Sequence, residues 1–412
     1  MTGADRFQYF IDKSSRSKTG TGNIIKAHIS LRGHVDEETI RKRIRNNKAV
    51  NFLSGITQAK KWYSAKHKWR TNQSNNIESV LSFHTIDNPD TLISQLLLRD
   101  CSFQKREPIH IDIVYEGLHK THFLLLVNHS LIDYTGMDLL LNSISSGEEL
   151  LTFVKPPTIE KSFFKRFIET VSVTFFVAAQ SGWDIQRLNK NEEESKAAHQ
   201  TLTVQGHEWH TYNNTLPLFG LPHFLAASVK ALSLQKSLIP DSKLSFFIPS
   251  PIDRRSPAYQ KVLLSNYMSF LFFKAEEKDL VSTSHLRKLF THQMIQQARK
   301  GIPEKFQSLM NIFSFLPAFI YEAFLNLPSK GHSSTFALSV LPKSLLEGGK
   351  FMGSIIEDYT HYPPIIPAPG LNIVFMEMKE GIKIIAGFDK SMISENEAGL
   401  FLKEIKHQLD CA

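Results

Sequence analysis

The segment THFLLLVNHSLIDYTGMDLLL, Thr121 to Leu141, changes character twice in a short span. Phe123 to Val127 is an unbroken apolar run of strand length, the pattern of a strand covered on both faces. It stops at Asn128 and His129. Asp133 follows four residues after His129, and Gly136, Met137, Leu139, Leu140 and Ile144 then recur at helical spacing. A histidine at the exit of a buried strand, with a carboxylate one turn on, is a usual way to set up a general base. Seventeen histidines are present, and only His129 has an Asp at this spacing. Just upstream, Ile109 to Tyr115 and His122 to Val127 read as antiparallel strands joined at Glu116–Gly117.

Strand, Asn128-His129-Ser130-Leu131-Ile132-Asp133-Tyr134, then helix resembles the His-His-x-x-x-Asp-Gly motif of a large acyltransferase superfamily. That superfamily contains chloramphenicol acetyltransferase, nonribosomal-peptide condensation domains, wax ester synthases and mycobacterial polyketide-associated acyltransferases. Asn128 stands in place of the first His and Tyr134 in place of the Gly. Branches of the family that lack the first His keep the second as base. The departures therefore fit acyl transfer and argue against a peptide-forming condensation domain. The likeness extends over most of the chain. Ala27 to Ala49 resembles the family's opening strand and first helix, and FQKREPIHIDIV the strand entering the motif. SFFIPSPIDRRSPAYQKVLLSNYMSFLFF resembles the second-half strand that ends in Asp-x-Arg-like residues, with Ser265 in place of the usual Gly before Asn266. The tail, IKIIAGFDKSMISENEAGLFLKEIKHQL, resembles the closing strand and helix. The Asp-Phe-Gly-Trp-Gly signature of the plant branch is absent.

The resemblance implies a mixed α+β (α/β) fold of two chloramphenicol-acetyltransferase-like lobes forming a pseudo-dimer with a central channel. It implies an O- or N-acyltransferase that takes an acyl group from acyl-coenzyme A or an acyl carrier protein to an alcohol or amine. No cofactor is held permanently; acyl-CoA or acyl-phosphopantetheine is a co-substrate, and no metal is expected. His129 is the expected general base. Asp133 is expected to be structural, paired with Arg254 or Arg255, between which the sequence does not choose. Oxyanion donors are expected on second-half strands, with Asn266 and Ser339 the candidates. The plainer reading of Asn266 is a strand-end amide that satisfies backbone groups. No Gly-x-Ser-x-Gly elbow surrounds Ser130, so direct transfer is expected without an acyl-enzyme. The alternative, favoured by Asn128 and Tyr134, is a non-catalytic relative acting as an acyl-carrier or lipid-binding protein.

The 412 residues exceed a usual single core, so two lobes are expected, 1–190 carrying the motif and 191–412. Thirty phenylalanines point first to a Phe-rich core and second to an acyl-shaped channel. The two cysteines provide no disulfide framework, and no signal peptide is visible, which leaves a cytoplasmic location as the default. Residues 1–75 hold sixteen Lys/Arg against five Asp/Glu, while the whole chain is +8. Such a basic surface attracts an acidic carrier protein, coenzyme A phosphates or an anionic membrane; no nucleic-acid motif accompanies it. The bland reading is a set of solvated helix faces around Arg41–Arg45 and Lys60–Arg70.

Residues 1–22 are polar, and SSRSKTGTGN reads as a loop. Phe163 to Gly182 reads as a helix with Phe164, Phe167, Ile168, Val171 and Phe175 on one side. It is too short to span a bilayer. Burial between lobes is the preferred reading of that side, and peripheral lipid contact the second. Glu304 to Leu327 reads as a helix kinked at Pro317. Leu371–Met378 and Ile382–Phe388 read as a hairpin. His207 and His210 point to opposite faces of a strand, which excludes a zinc pair.

Overall fold

A computed structural model describes residues 1–59, 68–71, 77–103, 107–148, 162–181, 188, 194–205, 220–235, 237–239, 244–255, 261–317, 334–344, 346, 349–365, 370–379 and 381–410. His207, His210 and the stretch after Pro317 lie outside these residues. In chain order the first elements are α1 Gly3–Thr19, β1 Ile24–Arg32, α2 Glu37–Asn46, α3 Lys48–Ser54, β2 Ile56–Ala59 and β3 Lys68–Thr71. Next come β4 Leu81–Thr85, α4 Asp90–Leu96, β5 Ile109–Glu116, β6 Lys120–Asn128, α5 Tyr134–Ser146 and α6 Phe163–Ser181. These are followed by β7 Ala197–Gln205, α7 Gly220–Leu234, β8 Ser245–Asp253, β9 Met268–Glu276, α8 Thr283–Arg299 and α9 Ile302–Phe313. The chain ends with β10 Ala337–Leu341, β11 Lys350–Phe351, β12 Ser354–Tyr362, β13 Leu371–Met378, β14 Gly381–Asp389 and α10 Glu395–Asp410.

The compact units are not successive halves of the sequence. One comprises Met1–Ile159, Arg255–Tyr267 and Lys343–Pro364; the other comprises Glu160–Arg254, Met268–Pro342 and Ile365–Ala412. This corrects the contiguous division at residue 190. The physical reason is backbone pairing: β12 is hydrogen-bonded to β1, and Ser265 bridges Ile132. Unpaired, those edges would leave donors and acceptors unsatisfied.

The first unit is built on a six-stranded sheet of order β11-β12-β1-β6-β5-β4. The β5–β6 hairpin pairs Ile109 with Val127 and Glu116 with Lys120, as the alternation around Glu116–Gly117 requires. Seven of the eight β5 residues and eight of the nine β6 residues are buried, which is why both strands read as continuous apolar runs. On one face Leu124, Leu126, Val114 and Ile24 pack with Ile93, Leu96 and Leu97 of the α4 region around the buried Cys101.

α1 corrects the loop reading of the N-terminus. Thr2 and Asp5 form a reciprocal capping box: Thr2 Oγ1 accepts from Asp5 N at 3.1 Å, and Thr2 N donates to Asp5 Oδ2 at 2.6 Å. Gly20 ends the helix at φ +72, a conformation that a side chain would strain. The buried side of α1 carries Asp5, Arg6, Gln8, Asp12 and Ser15 beside Ala4 and Phe10, so most of what it buries is polar although the helix is packed.

The second unit has the sheet β10-β13-β14-β7 and the separate hairpin β8–β9. β13 and β14 form the expected hairpin, from Leu371↔Phe388 to Met378↔Gly381. α7 and α10 contribute Phe224, Leu225, Phe401 and Ile405 to its core, where Phe224 stacks on Phe375 at 4.3 Å. The largest fully buried side chains among the described residues are all phenylalanines, in line with a Phe-rich core. α9 ends at Phe313, short of Pro317, and the part of the expected helix beyond Pro317 lies outside the described residues. α6 packs on α9 through buried Val173 and a Ser308 hydroxyl that donates to Glu169 at 2.6 Å. Its apolar stripe faces outward, with Phe164 72% and Phe175 73% exposed, which corrects the expectation of burial.

Burial also holds two histidines neutral. It pulls His361 in the first unit down to about 3, and His223 in the second down to about 4. The unfolded chain, with histidines near 6.5, takes up protons that the folded chain refuses. Stability is therefore complete above that value and falls as pH drops below it. Chemical denaturation at pH 7.5 and pH 5 checks this: each histidine costs about 2 kcal/mol at the lower pH, and His223→Gln flattens the slope. A pH-independent midpoint contradicts it.

Candidate active site

The site is assembled within the first unit where β6 ends. His129 is half-buried, and its backbone N–H donates to the Asn23 carbonyl at 2.9 Å, one step beyond the Ile24↔Asn128 pair of β1 and β6. Its ring Nδ1 lies 2.9 Å from the Ile132 carbonyl. A carbonyl oxygen only accepts, so Nδ1 carries the hydrogen of the neutral ring and Nε2 carries the lone pair. Burial lowers the imidazole from the usual 6.5, opposed by the Ile132 hydrogen bond and the Asp133 charge. The ring is therefore uncharged at neutral pH, as a base requires.

Asp133 is the N-cap of α5, where Oδ1 accepts from Gly136 N at 2.9 Å. The other oxygen accepts from Arg255 Nη1 at 2.8 Å and from Tyr267 N at 3.0 Å. The carboxylate is thus spent on the backbone and one guanidinium. Arg255 is the partner: its side chain is 3% exposed and its guanidinium lies 4.9 Å from the Tyr267 ring centroid. Arg254 pairs instead with Glu304 in the second unit, at the surface.

Asn266 has both amide hydrogens engaged. Nδ2 donates to the His129 carbonyl at 3.0 Å and to Asp5 Oδ1 at 3.2 Å, while its backbone N–H donates to Asp5 Oδ1 at 2.7 Å. This corrects the oxyanion assignment: an amide whose two hydrogens go to the His129 carbonyl and Asp5 has none left for an oxyanion. Ser339 lies half-buried on β10, in the second unit. Ser265 has φ +87 and donates its N–H to Leu131 O at 3.1 Å. The left-handed backbone explains why a Gly suits this place. Ser265→Gly should relieve about 1–2 kcal/mol of left-handed strain at a cost of about 0.4–1 kcal/mol in unfolded freedom, read as a slightly higher urea midpoint; a lower one contradicts the strain.

The residues that sequence reasoning missed lie on or just after α1. Asn128 is fully buried, and its Nδ2 donates to Asp12 Oδ1 at 3.0 Å and to Cys101 O at 3.2 Å. Its Oδ1 accepts from Ser130 N at 3.1 Å and Ser130 Oγ at 2.6 Å. Asp12 also accepts from Asn23 N at 2.8 Å and from Arg16 at 2.9 and 3.0 Å. Burial raises the Asp12 carboxyl against the pull of Arg16. Asn128 is therefore a bracket between α1 and the turn that carries His129. The Thr2–Asp5 cap and Gly20 were the legible signals for this helix. On the other side of the turn, the Tyr134 ring meets His361 edge-on at 4.4 Å. His361 is hydrogen-bonded to Tyr359, whose hydroxyl donates to Asp138 at 3.1 Å. Tyr134, in place of the motif's Gly, thus packs against a buried polar group of β12 and α5.

No protein-family model matches the chain, and no curated protein matches it in sequence. Solved structures do match in fold. The trichothecene 15-O-acetyltransferase TRI3 from Fusarium sporotrichioides is 12% identical, aligns over 100% of this chain and 94% of its own, and has a TM-score of 0.71. A variant starter condensation domain of rhizomide synthetase, solved with C8-CoA and Leu-SNAC, is 9% identical over 99% and 93%, with a TM-score of 0.69. The condensation domain of the Monacolin K polyketide synthase MokA is 10% identical over 100% and 96%, at 0.65. The chain has the two-lobed mixed α+β fold shared by chloramphenicol-acetyltransferase-like acyltransferases and condensation domains.

Proposed function

We propose that the chain is an acyltransferase that moves an acyl group from a thioester to a hydroxyl or amine, with His129 as general base. The observation that carries this reading is the ring's fixed tautomer: Nδ1–H is held by Ile132 O, and the lone pair is left on Nε2. Nε2 takes the acceptor's proton as its oxygen or nitrogen attacks the thioester carbonyl. The tetrahedral intermediate collapses, the carbon–sulfur bond breaks, and the imidazolium returns the proton to the leaving thiolate. Atoms and charge balance without an acyl-enzyme. Asp133 and Arg255 act as positioning residues that fix the turn, and so do Asn128 and Asn266. TRI3 is an O-acetyltransferase by name, and the rhizomide synthetase domain was solved with C8-CoA. These support coenzyme A thioesters or acyl carrier proteins as donors.

The exposed stripe of α6 supports a second part of the proposal, contact with lipid or a lipid-like acceptor at a membrane surface. Among the described residues no helix is long and apolar enough to cross a membrane. The test of function is release of free thiol from acyl-CoA in the presence of a panel of alcohols and amines. Thiol release that depends on one acceptor class and on His129 supports the enzyme. Binding of the thioester without turnover supports the non-catalytic alternative.

A further inference from the structure

The basic run at Arg41–Arg45 does not form one solvated face. α2 divides it in two. Arg41 and Arg45, one turn apart, both pair with Glu78, and Arg41 also pairs with Glu37. Lys42 and Arg43 point elsewhere, and among the described residues neither is in an ion pair. Both line a cavity of about 410 Å³ in the first unit, together with Thr39, Asn46, Lys48 and Glu148. Among the described residues of the lining the one carboxylate is Glu148, which has Lys261 Nζ at 3.7 Å. Among the described lining residues positive charge is therefore in excess.

Its geometry is built rather than incidental. Gly147 ends α5 at φ +78, and a Cβ there would lie 2.5 Å from Arg43 Nη1. The absence of a side chain is what lets the guanidinium lie over the helix end. Asn47 ties the floor together: its Nδ2 donates to Ser143 Oγ at 2.9 Å, and that hydroxyl donates to the Glu148 carbonyl at 2.7 Å. With Asn47 caught in the floor, the hydroxyl of Thr39 and the amide of Asn46 complete a polar rim. Among the described residues the lining contains no aromatic side chain on which a base could stack.

We propose that this cavity binds a phosphate-bearing small molecule through Lys42, Arg43 and Lys48. A phosphate monoester suits two ammonium groups and a guanidinium fork, and no described lining residue stacks on a base. The same chemistry is carried by the nucleotide end of a coenzyme A thioester and by a phosphopantetheine arm. The cavity volume suffices for either phosphate with part of its carrier.

Calorimetric titration of the full chain tests this with inorganic phosphate, adenosine 3′,5′-bisphosphate and 4′-phosphopantetheine. Adenosine and pantetheine serve as phosphate-free controls. Two double variants with equal loss of charge are compared, Lys42→Ala/Arg43→Ala in the cavity and Lys403→Ala/Lys406→Ala on exposed positions of α10. All four side chains are exposed, so both variants should fold, and their melting curves verify it. Expected is binding of at least one phosphate compound that its phosphate-free counterpart lacks. The cavity variant should weaken it about 10-fold or more, and the α10 variant less than about 2-fold. Gly147→Ala, which displaces Arg43, should weaken it too. Preference for the bisphosphate identifies a nucleotide-carried donor; preference for phosphopantetheine identifies a carrier arm. The proposal is overturned if no phosphate compound binds, if the phosphate-free controls bind equally, or if both double variants lose affinity alike. Binding is read without turnover, so this result and the acyl-transfer result stand or fall separately.

Discussion

His129→Ala should lower acyl-transfer turnover by about 10²–10⁴-fold while the fold persists. The turn does not depend on the ring for its backbone. His129 N–H still donates to Asn23, and its carbonyl still accepts from Asn266. The loss to stability is one hydrogen bond to Ile132 O, about 1 kcal/mol. Single-turnover thiol release and urea denaturation, run on the same preparation, separate the two effects. The wild-type pH profile adds a check that a structural role would not move. Because burial places the imidazole below 6.5, kcat/KM should be level through neutral pH and decline only at lower pH. Full turnover in the alanine variant removes His129 from the mechanism.

Asp133→Ala should be the most destabilising substitution near the site. Removing one partner of a buried ion pair costs about 3–5 kcal/mol, because Arg255, 3% exposed, stays behind without its counter-charge. Loss of the α5 cap adds about 1 kcal/mol. Asp133→Asn separates these effects: an asparagine still caps the helix at Gly136 N but carries no charge for Arg255. The alanine variant should therefore be about 1 kcal/mol less stable than the asparagine variant, and Arg255→Ala should resemble the asparagine one. Arg254→Ala, which touches only a half-exposed pair with Glu304, should change stability by less than about 1 kcal/mol. Equal effects of the two arginine substitutions would refute the assignment of the pair. The chain has two compact units, so these comparisons use the transition of the first unit rather than one global midpoint.

Local pattern carried the elements near the motif. The β5–β6 hairpin, the cap at Asp133 and the β13–β14 hairpin all follow from neighbours within a few residues. α1 escaped because its inward face is mostly polar: beside Ala4 and Phe10 it buries Asp5 and Asp12, which hold Asn266, Asn23 and Asn128. The outward stripe of α6 was legible as apolar, but its direction was not. Periodicity records that one side of a helix differs from the other, and packing sets which side faces in.

From residue order alone came the strand, the histidine at its exit and the helix behind it, since each is dictated by hydrogen bonds and burial within one short segment. Folding in three dimensions chose Arg255 over its neighbour, turned Asn266 toward the His129 carbonyl, and returned β12 to the edge of β1. Those pairings join residues more than a hundred positions apart, and linear spacing holds no record of which distant groups will satisfy one another.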